Sequence, residues 1–279
     1  MRKLKFLLVL FLSSVILYGC GNDNYAIEKE YWHIQKIAER VFKNPEATPP
    51  AQLANSVNAL ANFVSKFPKT PLSIESEFTI ARLYLVKKEY SKARLQLEAM
   101  MEKYNQSKSI CSEALFLIGN SYEIEDKWQS ALSEYQKIIS DYPITSKGLS
   151  SPIYIAQYYK IKHQPDKMLS AYQEAIQHYQ SLSQKSPDSA LSFNADALVV
   201  SCYSEIKDWP GALEALDSIM KRYKDKVDLS GALMNKALIY KNELKDKEKE
   251  KQALRQLIKD YPKSRLLNLA NSLLKELEK

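Results

Sequence analysis

The sequence predicts an all-α chain of about six antiparallel helix pairs stacked as a repeat array and closed by a C-terminal helix. Three observations predict it. Apolar residues recur at three- and four-residue steps, as on the stripe Ile118, Tyr122, Tyr135 and Ile138. Tyrosines mark a regular interval. Tyr84, Tyr122, Tyr159, Tyr203 and Tyr240 are separated by 38, 37, 44 and 37 residues, and Tyr104, Tyr142, Tyr179, Tyr223 and Tyr261 by 38, 37, 44 and 38. Pro68, Pro143 and Pro262 stop helices at the ends of units. The chain is long for one compact domain, and an array in which each unit packs only on its neighbours resolves that tension.

Taken in order, residues 1–19 read as a signal peptide: Arg2, Lys3 and Lys5 form a positive start and Phe6 to Leu17 an apolar run. The run is shorter than the roughly 20 apolar residues of a membrane-spanning helix. Leu17-Tyr18-Gly19-Cys20 is similar to the bacterial lipobox, in which the cysteine is acylated with palmitate-type chains and becomes the mature N-terminus. An ordinary secretory signal with an incidental Cys20 is the alternative. Two or three acyl chains anchor a protein stably. Residues 20–23 form a tether reaching roughly 10 to 15 Å, so the folded part sits against the membrane.

Residues 24–68 form an irregular first helix pair. Asn24 is the expected N-cap, Ile27, Tyr31, Ile34, Ala38 and Val41 make the apolar stripe, and Asn44-Pro45 and Pro49-Pro50 break the chain. The second helix runs from Ala51 to Phe67. No tyrosine occupies the repeat position of this pair.

Residues 69–279 carry the regular repeats and the closing helix. The best-formed unit is Cys111 to Pro143, where Leu115, Ile118, Gly119, Tyr122, Ala131, Tyr135 and Pro143 follow the pattern W-x2-L-G-x2-Y, A-x3-F, P. Gly119 and Ala131 are small where two helices cross; Ala81, Ala93, Ala156, Ala212 and Ala237 do the same elsewhere, with Val200 and Met168 fitting less well. This pattern resembles the tetratricopeptide repeat. The resemblance implies a right-handed solenoid.

Two irregularities stand out. Surplus residues fall after Tyr179 and before Tyr203, so Gln180 to Ser189 is an insertion, either a lengthened helix or a protruding loop. Tyr240 and Tyr261 are one residue further apart than their counterparts, which places an extra residue in Lys241 to Lys251. At the junctions Pro68 is followed by Ser73, Pro143 by Ser146 and Pro262 by Ser264, hydroxyls expected to cap the next helix. The last helix, Arg265 to Leu277, carries Leu266, Ala270, Leu273 and Leu277 on one face, which either covers the final repeat or docks a partner.

Catalytic chemistry finds no foothold. The six glycines are scattered, so no phosphate-cradling loop exists. His33, His163 and His178 lack ligand spacing, Cys111 and Cys202 read as separate buried thiols, and no acid–base carboxylate pair stands out. The expectation is a non-enzyme with no cofactor, metal or small-molecule substrate. Subtracting Arg2, Lys3 and Lys5 from the 40 basic residues leaves four more than the 33 acidic ones, too thin a surplus for a nucleic-acid footprint.

What remains is a binding surface. The tetratricopeptide resemblance implies that the first helix of each pair lines a groove with Glu75, Phe78, Arg82 and Leu85, then Glu113, Phe116, Asn120 and Glu123, then Ser150, Ile153, Gln157 and Lys160. Phe78 and Phe116 either anchor a partner peptide or pack into neighbouring helices. Cys20, the short tether, the repeat length and the stretch PLSIESEFTIARLYLVKKEYSKA together resemble the BamD-like outer-membrane lipoproteins. That resemblance implies a scaffold on the periplasmic face of the outer membrane, binding a barrel-assembly protein. Gly21, in place of aspartate, is similar to the outer-membrane sorting pattern. The alternative is a lipoprotein regulating peptidoglycan synthesis or the division machinery.

Overall fold

The computed structural model describes residues 22–187 and 189–278, and side chains from Tyr25 onward. Residues 1–19, where a signal peptide is expected, and Cys20 and Gly21 lie outside the described residues. Within them the helices follow the expected order: α1 (Asn22–Lys43), α2 (Pro50–Lys66), α3 (Pro71–Val86), α4 (Tyr90–Lys103), α5 (Lys108–Ile124), α6 (Trp128–Asp141), α7 (Ser146–Ile161), α8 (Pro165–Lys185), α9 (Ala190–Glu205), α10 (Trp209–Arg222), α11 (Ser230–Ile239), α12 (Lys247–Asp260) and α13 (Leu267–Leu277). A π-helical turn, Tyr240–Leu244, follows α11, and no strand occurs among the described residues. Pairing consecutive helices gives six pairs and a closing helix.

The chain divides into two compact units, Met1–Glu134 and Tyr135–Lys279, with the division inside α6. In the first, α1 packs on α2 and α3, α2 on α3, α3 on α4, and α4 on α5. Its core is built from Ala38, Val41, Leu53, Leu60, Ile80 and Leu83, then Phe78, Ala81, Leu97, Met100, Ala114 and Ile118. In the second, each helix from α7 to α13 packs on the next. Leu216, Ile219, Tyr223 and Leu229 form one cluster, and Leu233, Ala237, Leu254, Leu257 and Ala270 another. No single helix of this length is stable alone, so these shared clusters hold the pairs.

The crossing positions are closed to solvent as their small side chains predict. Ala81, Ala93, Ala131, Ala156 and Ala212 have no exposed surface, Ala237 has 1%, and Gly119 is buried. The closing helix takes the covering role: Ala270 is buried and Leu266, Leu273 and Leu277 pack against the α11–α12 cluster. That face is core and not a docking surface.

Both irregularities have a definite form. The insertion lengthens a helix: α8 has 21 residues where α4, α6, α10 and α12 have 14 each. Its added turn buries Leu182 and Ser183. Arg222 then holds the end, donating from Nη1 to Ser183 Oγ at 2.6 Å and from Nη2 to the Ser183 carbonyl at 3.2 Å. The extra residue of the last pair is absorbed by the π-turn. The amide donating to the carbonyl of the marker tyrosine lies five residues on in Tyr84–Glu89, Tyr122–Lys127, Tyr159–Gln164 and Tyr203–Asp208, whereas the Tyr240 carbonyl accepts from Lys245, five on, and also from Asp246, six on.

Three local expectations need correction. Helix α1 begins at Asn22, so Asn22 and Asp23 are helical and Asn24 lies within the helix. At α3 the cap is Thr70, whose Oγ1 accepts from Ser73 N at 3.2 Å, while Ser73 itself is buried and donates to the Phe67 carbonyl. At α7 the cap is Thr145, accepting from Gly148 N at 3.0 Å. A capping oxygen has to sit on the residue just before the helix, and Pro71 and Ser146 already have helical backbone. Ser264 accepts from Leu266 N at 3.1 Å in the turn before α13, whose N-cap residue, Leu266, supplies no side-chain cap.

One glycine is required by space. A Cβ on Gly148 would lie 2.0 Å from the Tyr142 carbonyl oxygen and 2.7 Å from the Pro143 carbonyl carbon, so α7 starts against the preceding turn only because that side chain is absent.

Candidate functional site

The first helices of the pairs present their site residues differently in the two units. On α3, Glu75 is exposed and Arg82 half-buried, and Arg82 Nη1 donates to Glu75 Oε1 at 2.6 Å. The Arg82 guanidinium lies 5.7 Å from the centre of the Phe78 ring. Phe78 is 5% exposed and Leu85 8%. These two are core residues, and the anchoring role open to Phe78 is closed by its packing against Ala81, Leu97, Met100, Ala114 and Ile118. The physical reason is nesting: the flank of α3 that the repeat offsets mark as outward receives α5 of the next pair. On α5, Glu113, Phe116, Asn120 and Glu123 are half-buried.

In the second unit the expected residues do converge. Leu149, Ser150, Ile153, Tyr154 and Gln157 of α7, with Leu198 of α9, line an open cavity of about 340 Å³. Lys160 stands outside it, its Nζ 2.8 Å from Glu205 Oε2 at the end of α9. A second concavity of about 370 Å³ lies between α9 and α11, lined by Ala197, Ser201, Ser204, Asn235, Leu238 and Asn242 among others. Beneath it, a cavity of about 210 Å³ reaches Phe193, Val200, Leu216 and Leu229.

The residues on α9 and α11 were missed, although the signal was present. Ala197, Ser201 and Ser204 stand at the same offsets from Val200 as Ile153, Gln157 and Lys160 do from Ala156, and Leu238 from Ala237 as Gln157 from Ala156. Carrying the pattern through the units with irregular crossing residues finds them. Leu198, one position on, is visible only from the packing of α9 beside α7.

Charge is sparse on these walls: Glu243 lines the α9–α11 concavity and Asp228 the cavity that shares Val200 with it. The α7–α9 cavity offers hydroxyl, amide and aliphatic groups and no charged side chain. A fourth hollow of about 260 Å³, between α8, α9 and α10, carries Asp196, Glu214 and Arg222, but Arg222 Nη1 already lies 3.1 Å from Asp196 Oδ2. Asp196 Oδ2 also accepts from the Tyr223 phenol at 2.8 Å.

Groups that could do chemistry are placed elsewhere. Cys111 and Cys202 are free and buried. Burial, with Glu205 adding to it, pushes the Cys202 thiol up to about 12, so it stays protonated. His33 and His163 are exposed; His178 is half-buried, and burial followed by Lys185 holds its imidazole below the ordinary histidine value. Among the described residues no three His, Cys, Asp or Glu side chains are grouped to hold a metal ion. The arrangement suits binding a polypeptide by shape and neutral hydrogen bonds.

The model of the tetratricopeptide repeat matches residues 113–143 and 232–264, the α5–α6 and α11–α12 pairs. Among solved structures, the chain is similar to BtubC (BKLC) from P. vanneervenii, at 16% identity over 84% of this chain and 90% of that one, with a TM-score of 0.41. It is similar to pilF of Pseudomonas aeruginosa at 9% identity over 88% and 99%, TM-score 0.35. It is also similar to the apo quorum sensor NprR from B. thuringiensis at 12% identity over 92% and 85%, TM-score 0.35. No curated protein matches the chain. The fold is all-α and of tetratricopeptide type, a scaffold for binding proteins.

Proposed function

We propose that this chain is a lipid-anchored scaffold on the periplasmic face of the outer membrane, holding a protein partner of the outer-membrane β-barrel assembly machinery. The observation that carries the binding role is the neutral cavity lined by Ile153, Gln157 and Leu198, followed by a mostly neutral one between α9 and α11 with Glu243 on its wall. Successive hollows on first helices of adjacent pairs receive alternate side chains of an extended segment or the face of one helix, while Ser150, Gln157, Ser201 and Asn235 meet its polar groups. The uncharged walls of the α7–α9 cavity select against a strongly charged side chain there, because a buried charge needs a partner that these walls lack, whereas Glu243 on the second hollow tolerates a basic one. The anchor rests on the apolar run Phe6 to Leu17 followed by Gly19-Cys20, and the assembly role on the likeness of Pro71 to Ala93 to BamD-type lipoproteins.

Photo-crosslinking from Gln157 and Ser201 in the native envelope, with mass spectrometry of the adducts, tests the partner. A β-barrel assembly protein is the expected product. A peptidoglycan synthase at both positions would replace that assignment with envelope-synthesis regulation. For the anchor, Cys20→Ser is expected to leave an unprocessed precursor, and an unchanged mass and fractionation would remove the lipid.

A further inference from the structure

Helix α1 turns two unlike faces outward and inward. Inward lie Ile34, Ala38 and Val41, packed with α2 and α3. Outward, Tyr25, Lys29, Trp32, Lys36 and Lys43 follow one another at steps of three, four and seven, so they form a single stripe along the helix. Tyr25 is 66% exposed and Trp32 50%, and the three lysines are exposed as well. Lys36 Nζ sits 3.6 Å from the centre of the Trp32 ring. Arg40 and His33 border one side of the stripe, and Glu28 and Glu39 the other, all exposed.

A large ring left in water is unfavourable, and a fold in which every marker tyrosine is at least half-buried gives no packing reason for this exposed one. Aromatic rings alternating with long basic side chains fit one environment well. At a bilayer surface Trp and Tyr sit among headgroups, with their apolar bodies inward and polar edges outward, while Lys reaches anionic phosphate on a flexible stem. The placement along the chain agrees, because α1 begins at Asn22, two residues after Cys20 and five after the apolar run. A lipid at Cys20 would bring this stripe to the membrane before any other part of the protein.

We infer that the Tyr25–Lys29–Trp32–Lys36–Lys43 stripe lies on the anionic phospholipid surface of the membrane and fixes how the scaffold stands on it. The inference rests on the membrane-anchored reading above and adds an orientation to it. Lipid enters as a surface and not as a spanning environment: among the described residues no helix is long and apolar enough to cross a membrane.

The test uses the full chain in its native envelope, with benzoylphenylalanine replacing Trp32, or replacing Glu98 on an exposed part of α4 as the reference. The expected result is a phospholipid adduct at 32 that is absent at 98. Lys29→Glu with Lys36→Glu, added to the 32 probe, should lower the adduct at least tenfold, because each basic residue near an anionic surface strengthens binding by about fivefold. Both lysines are exposed, so circular dichroism should stay unchanged. A protein adduct at 32, an equal lipid yield at 98, or a yield indifferent to charge reversal would overturn the inference. Fractionation separates the two readings. A chain that sediments with membranes yet crosslinks protein from 32 keeps its anchor and loses this orientation, and a chain found wholly in the soluble fraction loses both.

Discussion

The phenol of Tyr104 donates to Glu77 Oε2 at 2.6 Å, tying the end of α4 back to the first helix of its own pair. Lys103 Nζ holds the other carboxylate oxygen at 2.9 Å. Tyr223 repeats the device on Asp196 at 2.8 Å, and Tyr179 on the Leu149 carbonyl at 2.6 Å. Marker tyrosines of the repeat are therefore polar clasps as well as core. Hydrogen bonds to charged acceptors are worth about 1.5–3 kcal/mol and neutral ones about 1. Tyr223→Phe is expected to cost about 2 kcal/mol in chemical denaturation and Tyr179→Phe about 1. Losses indistinguishable from zero at both would show that the ring alone, and not its hydroxyl, sets the interval.

The ends of the first helices carry a second repeated device. Lys88, Asp126, His163, Lys207 and Lys245 all have positive φ, between 54° and 61°, where the helix terminates with the left-handed residue that glycine usually supplies. A side chain there costs roughly 1–2 kcal/mol, offset in part by glycine's greater freedom when unfolded. Lys207→Gly is expected to raise stability by about 0.5–1 kcal/mol, and Lys207→Val to lower it, since a branched Cβ is least tolerated at such a backbone. Thermal melts that rank the three in any other order would contradict this account of the turn.

The fold was legible because the repeat states the same physics many times. Tyr84 and Tyr104 each begin a series of constant spacing, and small residues such as Ala81, Ala93 and Ala131 can only mean close helix crossings when they recur in phase with it. The site was less legible. Glu75, Phe78 and Leu85 stand at equivalent offsets to Ser150, Ile153 and Lys160, yet Phe78 is covered by the next helix while Ile153 opens on a cavity. Sequence periodicity shows which side of a helix a residue occupies, whereas exposure depends on how closely the neighbouring pair nests. The π-turn was visible as one surplus residue, but its form was not. Whether an extra residue loops out or widens a helical turn depends on whether both flanking helices are already fixed, here by α11 packing on α12 and α12 on α13.

Glu250 occupies the place, eleven residues before the marker tyrosine, that Ala93, Ala131 and Ala212 fill in other pairs. It is 2% exposed and its Oε1 has no hydrogen-bond partner. Burial is the main reason its carboxyl is held above the ordinary 4.5; Lys241 opposes the shift, Glu276 adds to it and Lys247 opposes it more weakly. At a pH below 4.5 the group is protonated in the folded and unfolded chain alike, so it costs nothing. As pH rises past that value the unfolded chain ionises first, and the penalty grows until the folded group ionises too. Glu250→Gln is therefore expected to change little at about pH 4 and to stabilise by about 1 kcal/mol at neutral pH. A gain that is constant with pH would assign the effect to packing, and a loss at neutral pH would show that the charge is favourably paired with Lys241.

Phe78 and Leu198 give opposite expectations although both are apolar residues of first helices. Phe78 fills the space between α3, α4 and α5 at 5% exposure, so Phe78→Ala leaves a cavity and should cost about 3–5 kcal/mol, with partner capture lost only as far as the protein unfolds. Leu198 is half-buried on the wall of the α7–α9 cavity, where a longer polar side chain can turn outward without displacing a neighbour. Leu198→Glu places a carboxylate in a hollow that offers it no cationic partner. Stability should shift by less than about 1 kcal/mol, because the charge stays hydrated while the hollow is empty. Binding should fall at least tenfold, because a partner has to strip that water away, and a partly stranded charge costs more than the roughly 1.4 kcal/mol that a factor of ten represents. Titration of the crosslinked partner against both variants, normalised to the folded fraction from circular dichroism, separates the roles. Capture unaffected by Leu198→Glu would move the binding surface away from α7 and α9, and a large drop in melting temperature would make Leu198 a core residue like Phe78.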